Sequence, residues 1–361
     1  MKTLSLCMIV RDEEKNLDEC LRCCQEFCDE IVIVDTGSKD KTKIIAQKYT
    51  ENVYDFEWVD DFSRARNYSF DKATKEYIMW LDGDDFLTRD TIEEIIKWKN
   101  SGEDCDVLMC RYVAGYKKDL TPTFEYYRER IVKNTPQLRW KDAVHEVIVP
   151  VGKVITNSKI AVYHNKREKK YSDRNLNIYL KLLADGVKLS PRGQFYYARE
   201  LYFLGKTQEA IHEFSKFLAD DKGWSENKIE ACLNLAKCYE IVGQYSNAMS
   251  SLYGSFSYDD PRGEIIYEIG NVFMIEGKYD RAIFWLKLAL TLSPNLQSGG
   301  FINQDCYNFL PALQLCVCYD KLGDYLEAYK YHLIAEKFYP EDKNVLQNKK
   351  YFDAILKNKN I

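Results

Sequence analysis

Along residues 1–165, short unbroken apolar runs alternate with stretches whose apolar positions recur every three to four residues. Leu4–Val10, residues 30–34 (EIVIV) and residues 77–81 (YIMWL) are continuous apolar segments of strand length, and residues 52–56 read as a shorter one. Between them, residues 17–27, 41–49 and 63–74 have helical spacing. Apolar strands separated by helices predict an α/β domain with a mostly parallel sheet covered by helices on both faces. In such sheets ligands settle just past the carboxyl ends of the strands. Polar clusters stand at those ends, at residues 11–14, 35–40 and 82–85.

From about residue 190 the period changes to paired helices. Four times a Gly is followed five residues later by Ala, with Tyr or Thr between: Gly205/Thr207/Ala210, Gly243/Tyr245/Ala248, Gly277/Tyr279/Ala282 and Gly323/Tyr325/Ala328. The Gly spacings are 38, 34 and 46, and Pro294 and Pro340 each lie twelve residues after their Ala. This resembles the tetratricopeptide repeat, a helix pair of 34 residues. The uneven spacing predicts insertions, notably around residues 297–303. The expected organisation is an α/β domain over 1–165, a charged connector (KREKK) and connecting helix over 166–190, and all-α repeats over 191–361.

Composition narrows the partners. Of 361 residues, 46% are hydrophobic and 30% charged, which is a folded rather than a disordered balance. Lys+Arg of 51 against Asp+Glu of 56 leaves a net charge of −5, with no large cationic field for nucleic acid. No stretch approaches the roughly 20 apolar residues that span a bilayer, so no transmembrane segment is expected. MKTLSLCMIV runs straight into Arg11-Asp12-Glu13-Glu14 without a small-residue cleavage site, and reads as a buried strand rather than a signal peptide. The twelve Cys are irregularly placed, and Leu17, Leu21, Cys24 and Cys28 share one helical face. No second Cys/His pair at zinc-ligand spacing accompanies them, so they are expected as reduced core residues in a cytoplasmic protein.

The segment richest in chemistry is Asp82-Gly83-Asp84 at the end of YIMWL. Two carboxylates one residue apart, in a turn at a strand end, suit a divalent cation shared with a sugar-nucleotide; hard oxygen donors of this kind favour Mg²⁺ or Mn²⁺. The alternative is an acidic turn that caps a helix.

The order LSLCMIVRDEE, EIVIVDTGSKDKT, DFSRARNYSFDKATKEYIMWLDGDD, LRWKDAVHE and VYHNK resembles a family 2 glycosyltransferase of the GT-A fold, over roughly residues 3–165. With the repeats, the chain is similar to a bacterial subgroup that modifies a peptide. The resemblance implies a UDP-sugar donor, Mn²⁺ or Mg²⁺, and an inverting transfer. Asp12 stands where the family's V-x-N-E-E opening has Asn.

The resemblance also assigns expected roles. Val10, Arg11 and Glu13 border the nucleotide. Asp35 accepts from the uracil N3–H, or else closes an Asx-turn with Thr36-Gly37-Ser38. Arg66 and Asn67, in the F-S-x-A-R-N pattern, face base or phosphate, unless Arg66 is a solvated helix residue. Asp82 and Gly83 contact the donor, and Asp82 and Asp84 hold the metal. His145 is a third metal ligand or diphosphate donor, and Glu146 is the general base. These two lie in a strand-like run over 143–149, where only one of them would face the pocket; the alternative is a structural pair. His164 contacts phosphate or stabilises the domain junction. Arg128 or Arg130 steadies the leaving diphosphate, or joins salt bridges on a helix surface. Trp140 walls the sugar pocket or sits in the core. His212 and His332 are expected in packing or at the surface.

The expected activity is transfer of a hexose or N-acetylhexosamine to a Cys, Ser or Thr side chain of a peptide or protein. The repeats would recruit that acceptor or form a homodimer. The competing readings are a transferase in surface polysaccharide or lipid-linked saccharide synthesis, and a noncatalytic interaction scaffold.

Overall fold

The computed structural model describes residues 1–165, 172–295 and 298–359, with side chains to residue 355. The chain forms two compact units, Met1–Tyr196 and Tyr197–Ile361. The charged run 166–170 and Tyr171 lie outside the described residues.

The first unit opens with β1 (Leu4–Val10), α1 (Leu17–Cys24), β2 (Glu30–Asp35), α2 (Thr42–Ala46), β3 (Val53–Asp55), α3 (Phe62–Lys72) and β4 (Tyr77–Trp80). The expected strands and helices are all present: β1 has its expected bounds, β2 runs one residue further, and the others differ by one to a few residues at their ends. The unit continues with β5 (Asp85–Leu87), α4 (Arg89–Asn100), β6 (Val107–Tyr116), β7 (Pro122–Lys133), β8 (Trp140–Lys141), β9 (Val147–Ile148), β10 (Val154–His164) and α5 (Arg174–Ala184).

The sheet order is β3-β2-β1-β4-β7-β6-β10-β5. The strands from β3 to β4 are parallel, with Val10 level with Asp35 and Cys7 level with Trp80. Beyond β4 the sheet is mixed: β7 is antiparallel to both β4 and β6, and β5 is antiparallel to β10. Each face has its own core. Leu4, Leu6, Met8 and Val10 of β1 pack with Leu17 and Leu21 of α1 and Ile92 and Ile95 of α4. Cys7, from the other face of the same strand, packs with Phe70 of α3, Trp80 and Trp140. This is the period of two that buries both sides of a central strand.

One sequence alternative and one expectation fail locally. Residues 125–130 lie within the strand β7, which removes the helix-surface alternative for Arg128 and Arg130. Residues 143–149 do not form one strand: only Val147–Ile148 pair, and Asp142 and His145 take left-handed φ of +68° and +53° that no strand accommodates.

The second unit is built from helix pairs. After α6 (Pro191–Phe203), which crosses the division between the units, come α7 (Thr207–Ala219), α8 (Ser225–Ile241), α9 (Tyr245–Gly254), α10 (Gly263–Ile275), α11 (Tyr279–Ala289), α12 (Phe309–Lys321), α13 (Tyr325–Phe338) and α14 (Lys343–Lys359). The repeated Gly takes a left-handed φ between +72° and +81° at Gly205, Gly243, Gly277 and Gly323. At Gly277 its N–H donates to Met274 O and that of Lys278 to Phe273 O, the bond pattern that ends a helix on a Gly. Five residues on, Ala210, Ala248, Ala282 and Ala328 are wholly buried, so the small side chain serves close helix packing as its spacing predicted. All twelve cysteines are free thiols. Among the described residues no helix is long and apolar enough to cross a membrane.

Candidate active site

The parallel register brings the exits of β1, β2 and β4 to one edge of the sheet, and the acidic turn 82–85 stands there. The turn closes on itself. Asp85 N–H donates to Asp82 O at 3.0 Å, and Asp82 N–H donates to Asp85 Oδ2 at 3.1 Å. A Cβ on Gly83 would lie 2.8 Å from Glu13 Cγ, so the absence of a side chain lets the loop after β1 press against the turn.

Asp82 and Asp84 have different partners. Arg66, buried on α3, whose start Asp61 caps by accepting from Arg64 N–H, donates through Nη2 to Asp82 Oδ1 and through Nε to Glu146 Oε1, both at 2.6 Å. Its guanidinium also lies 5.1 Å from the ring centre of Trp80 and 4.8 Å from that of Trp140. Burial would raise the Asp82 carboxyl, but Arg66 outweighs it and holds the group at about 2. Burial likewise works against the Arg66 cation, yet Asp82 and Glu146 lift it above its ordinary value.

Asp84, Asp85 and His164 form a separate group whose potential ligand atoms all lie within 4.8 Å of one another. His164 Nδ1 is 3.6 Å from Asp84 Oδ1 and 3.7 Å from Asp85 Oδ1. It is buried and has no hydrogen-bond partner among the described residues. Asp85 chiefly, then Asp84, raises the imidazole above its ordinary value, against the opposing effect of burial. Asp85 accepts from Tyr112 Oη at 3.1 Å and from Arg130 Nη1 at 3.2 Å. Burial nevertheless raises its carboxyl, with His164 opposing and Asp82 adding. Two carboxylates and an imidazole nitrogen without a partner are a donor set that fits a divalent cation.

Other expected residues fall into distinct places. Asp35 is buried at the end of β2; its Oδ1 accepts from the N–H groups of Gly37 and Ser38, both at 2.9 Å. Its Oδ2 is buried without a partner among the described residues. The Asx-turn and a free acceptor atom therefore coexist on one side chain. Val10 O accepts from Thr36 N–H and Oγ1, Glu13 N–H donates to Thr42 Oγ1, and Arg11 is exposed. Asp12 takes a φ of +54°, a conformation Asn and Asp share more readily than other residues.

Asn67 does not face the turn: its Nδ2 donates to Trp140 O and its Oδ1 accepts from Trp140 N–H, so the amide is spent joining α3 to β8. Trp140 is a core residue. His145 is not in the Asp84–Asp85–His164 group; its ring stacks on Tyr196, centroids 4.2 Å apart and planes 13° apart. Glu146 reaches the turn through Arg66. Arg130 is wholly buried against Trp80, with Nη1 also on Trp80 O, and Arg128 pairs with Glu129. His332 is buried and His212 exposed.

Sequence reasoning gave Asp85 no role and left His164 between two. The signal lies in the pairing of β5 with β10, which sets His164 level with Asp85. Neither strand's composition announces that pairing.

Residues 5–162 match the model of glycosyl transferase family 2, and residues 263–296 match a tetratricopeptide repeat. The chain thus carries a glycosyl transferase family 2 domain followed by tetratricopeptide repeats. It is similar to glycosyltransferase SunS of Bacillus phage SPbeta, at 27% identity over 63% of this chain and 56% of that one. It is also similar to a TPR repeat-containing protein of Synechococcus elongatus, at 33% identity over 41% of this chain and 36% of that one. A third relative is the lipopolysaccharide core biosynthesis glycosyltransferase LpsC of Rhizobium meliloti, at 27% identity over 56% of this chain and 79% of that one. The chain therefore spans between about a third and just over half of the length of the first two.

Proposed function

We propose that this protein is a metal-dependent, inverting glycosyltransferase that moves a hexose or N-acetylhexosamine from a UDP-sugar to a Cys, Ser or Thr side chain of a peptide or protein. The observation that carries this is a pair of buried polar atoms without partners among the described residues, Asp35 Oδ2 at the end of β2 and His164 Nδ1 at the end of β10, the second beside Asp84 and Asp85. Buried polar atoms without partners cost about 1–3 kcal/mol each, and a ligand that pairs with them recovers it.

Asp84, Asp85 and His164 would hold Mn²⁺ or Mg²⁺, which when bound neutralises charge building on the leaving diphosphate. Asp35 Oδ2 would accept from the uracil, with Val10, Arg11 and Glu13 bordering the nucleotide. Asp82 and Gly83 would meet the donor, Asp82 kept ionised by Arg66. Glu146 would take the acceptor's proton, its carboxylate oriented by Arg66. The repeats would recruit the acceptor, and a homodimer through them belongs to the same proposal. The free thiols and the lack of a spanning helix among the described residues agree with a cytoplasmic setting.

Calorimetry with UDP and Mn²⁺, followed by a screen of nucleotide-sugars for UDP release, tests the reading. Metal-dependent UDP binding is expected; its absence favours the scaffold. The similarity to LpsC supports a second reading, a saccharide acceptor. Transfer to a lipid-linked saccharide but to no peptide would establish it.

A further inference from the structure

We propose that His145 is a positioning residue: stacked on Tyr196, it fixes the loop from which Glu146 reaches Arg66 and Asp82. The inference rests on the reading of the turn 82–85 as the donor site, and it assigns a part of that site to chain beyond the family 2 match, which ends at residue 162.

The loop 142–146 is strained and heavily fastened. Left-handed backbone at Asp142 and His145 costs on the order of 1–3 kcal/mol each, and persists only where surroundings over-determine it. Ser190 Oγ donates to Asp142 Oδ1 at 3.1 Å. Phe62 N–H donates to Ala143 O at 2.7 Å, and Tyr179 Oη to Val144 O at 3.4 Å. Arg192 Nε donates to His145 O at 3.1 Å, while its guanidinium lies over the Tyr196 ring and reaches Tyr196 Oη at 3.3 Å. The His145 ring is parallel to Tyr196 and lies 6.4 Å from Tyr179, 17° from parallel.

Four of these anchors come from α5 (Tyr179), the residue before α6 (Ser190) and the first two turns of α6 (Arg192 and Tyr196). The next residue, Glu146, is where the loop meets the site. Its carbonyl accepts from Arg128 Nη2 at 3.2 Å and its carboxylate from Arg66 at 2.6 Å, and Arg66 in turn holds Asp82 at 2.6 Å. A stack of rings thus sets the backbone, the backbone sets Glu146, and Glu146 shares one guanidinium with Asp82. Displacement of a reacting group by about 1 Å costs on the order of 10²-fold in rate.

The test compares His145→Asn, which keeps the left-handed backbone and loses the stack, with His145→Phe, which keeps a ring and loses its nitrogens. Tyr196→Ala and Tyr196→Phe form the second pair. The readouts are kcat and KM for UDP release, UDP affinity with Mn²⁺, and amide hydrogen exchange at residues 143–147. His145→Asn and Tyr196→Ala are expected to lower kcat by roughly 10- to 10²-fold, with KM and UDP affinity unchanged and exchange faster. Tyr196→Phe is expected to stay within about threefold of wild type, and His145→Phe, which keeps the stack but strains the left-handed backbone, to remain faster than His145→Asn.

Wild-type kcat in Tyr196→Ala overturns the proposal. So does His145→Phe as slow as His145→Asn with unaltered exchange, which would give the imidazole a chemical role. Unaltered exchange in Tyr196→Ala overturns the clamp whatever UDP does. A wild-type protein that neither binds nor releases UDP overturns the donor-site reading instead, and the exchange data still decide the clamp.

Discussion

Two carboxylates, one in each unit, are pushed in opposite directions. Asp82 is held at about 2 because Arg66 overrides the effect of burial. Glu240, on α8, is pushed up to about 8 by burial, with Glu268 adding to the shift and Lys237 opposing it. Its Oε1 is buried without a partner among the described residues. A guanidinium that donates to the carboxylate separates the two cases. In the α/β unit Asp82 has a guanidinium at hydrogen-bond range and stays ionised. In the repeats Glu240 is set among apolar helices and keeps its proton at neutral pH.

The comparison can be broken most directly at Asp84. Asp84→Ala is expected to lower UDP release by roughly 10³-fold while the melting temperature stays near that of wild type. Near-normal turnover would remove the metal assignment. Arg66→Ala leaves Asp82 and Glu146 without their shared cation and is expected to cost about 3–5 kcal/mol, read from denaturant midpoints. If its cost is under about 1 kcal/mol, the buried bridge is not what distinguishes the α/β unit.

In the repeats the corresponding damage should come from packing. Leu286 of α11 is wholly buried and fills the space over Gly270, where a Cβ would lie 2.8 Å from its Cγ. Leu286→Ala is expected to cost about 2–5 kcal/mol with UDP affinity unchanged by calorimetry.

The smallest effect is that of pH on Glu240. An unfolded Glu titrates near its ordinary 4.5 and the folded one at about 8. Between those values the unfolded chain releases the proton first, so this group's stability contribution is intact below about 4.5 and is lost as pH rises toward 8. Asp82 runs the other way: its contribution is present above its ordinary 3.8 and is lost as pH falls toward about 2. Glu240→Gln is therefore expected to raise the melting temperature by a few degrees at about pH 9 and to leave it unchanged at about pH 4. Equal shifts at both values would place the effect in packing rather than titration.

What the sequence made legible follows the reach of local physics. EIVIV and YIMWL read as buried strands because continuous apolar runs of that length have few other uses, and β2 and β4 stand there. The Gly and Ala of the repeats were legible because each meets a backbone or packing need of its own. Residues 125–130 misled because Glu-Tyr-Tyr-Arg-Glu-Arg carries charge enough for a surface, yet Arg130 is buried against Trp80 and Asp85, pairings 50 and 45 residues distant. Asn67 misled because its motif neighbours Arg66, while its amide is turned to the Trp140 backbone. His164 stayed unassigned because its partnership with Asp84 and Asp85 depends on which strands lie side by side. Local patterns carry elements; the site depends on register.

The four left-handed glycines have a consequence for how this protein changes over time. Each ends the first helix of its pair with the same left-handed backbone, so the joints are interchangeable parts. A stretch running from one joint to the next can be lost or copied without inventing new turn chemistry, since every pair rests only on its immediate neighbours. The array is thus free to lengthen or shorten by whole pairs, while the sheet that precedes it, knit by contacts far apart in the chain, has no such seams.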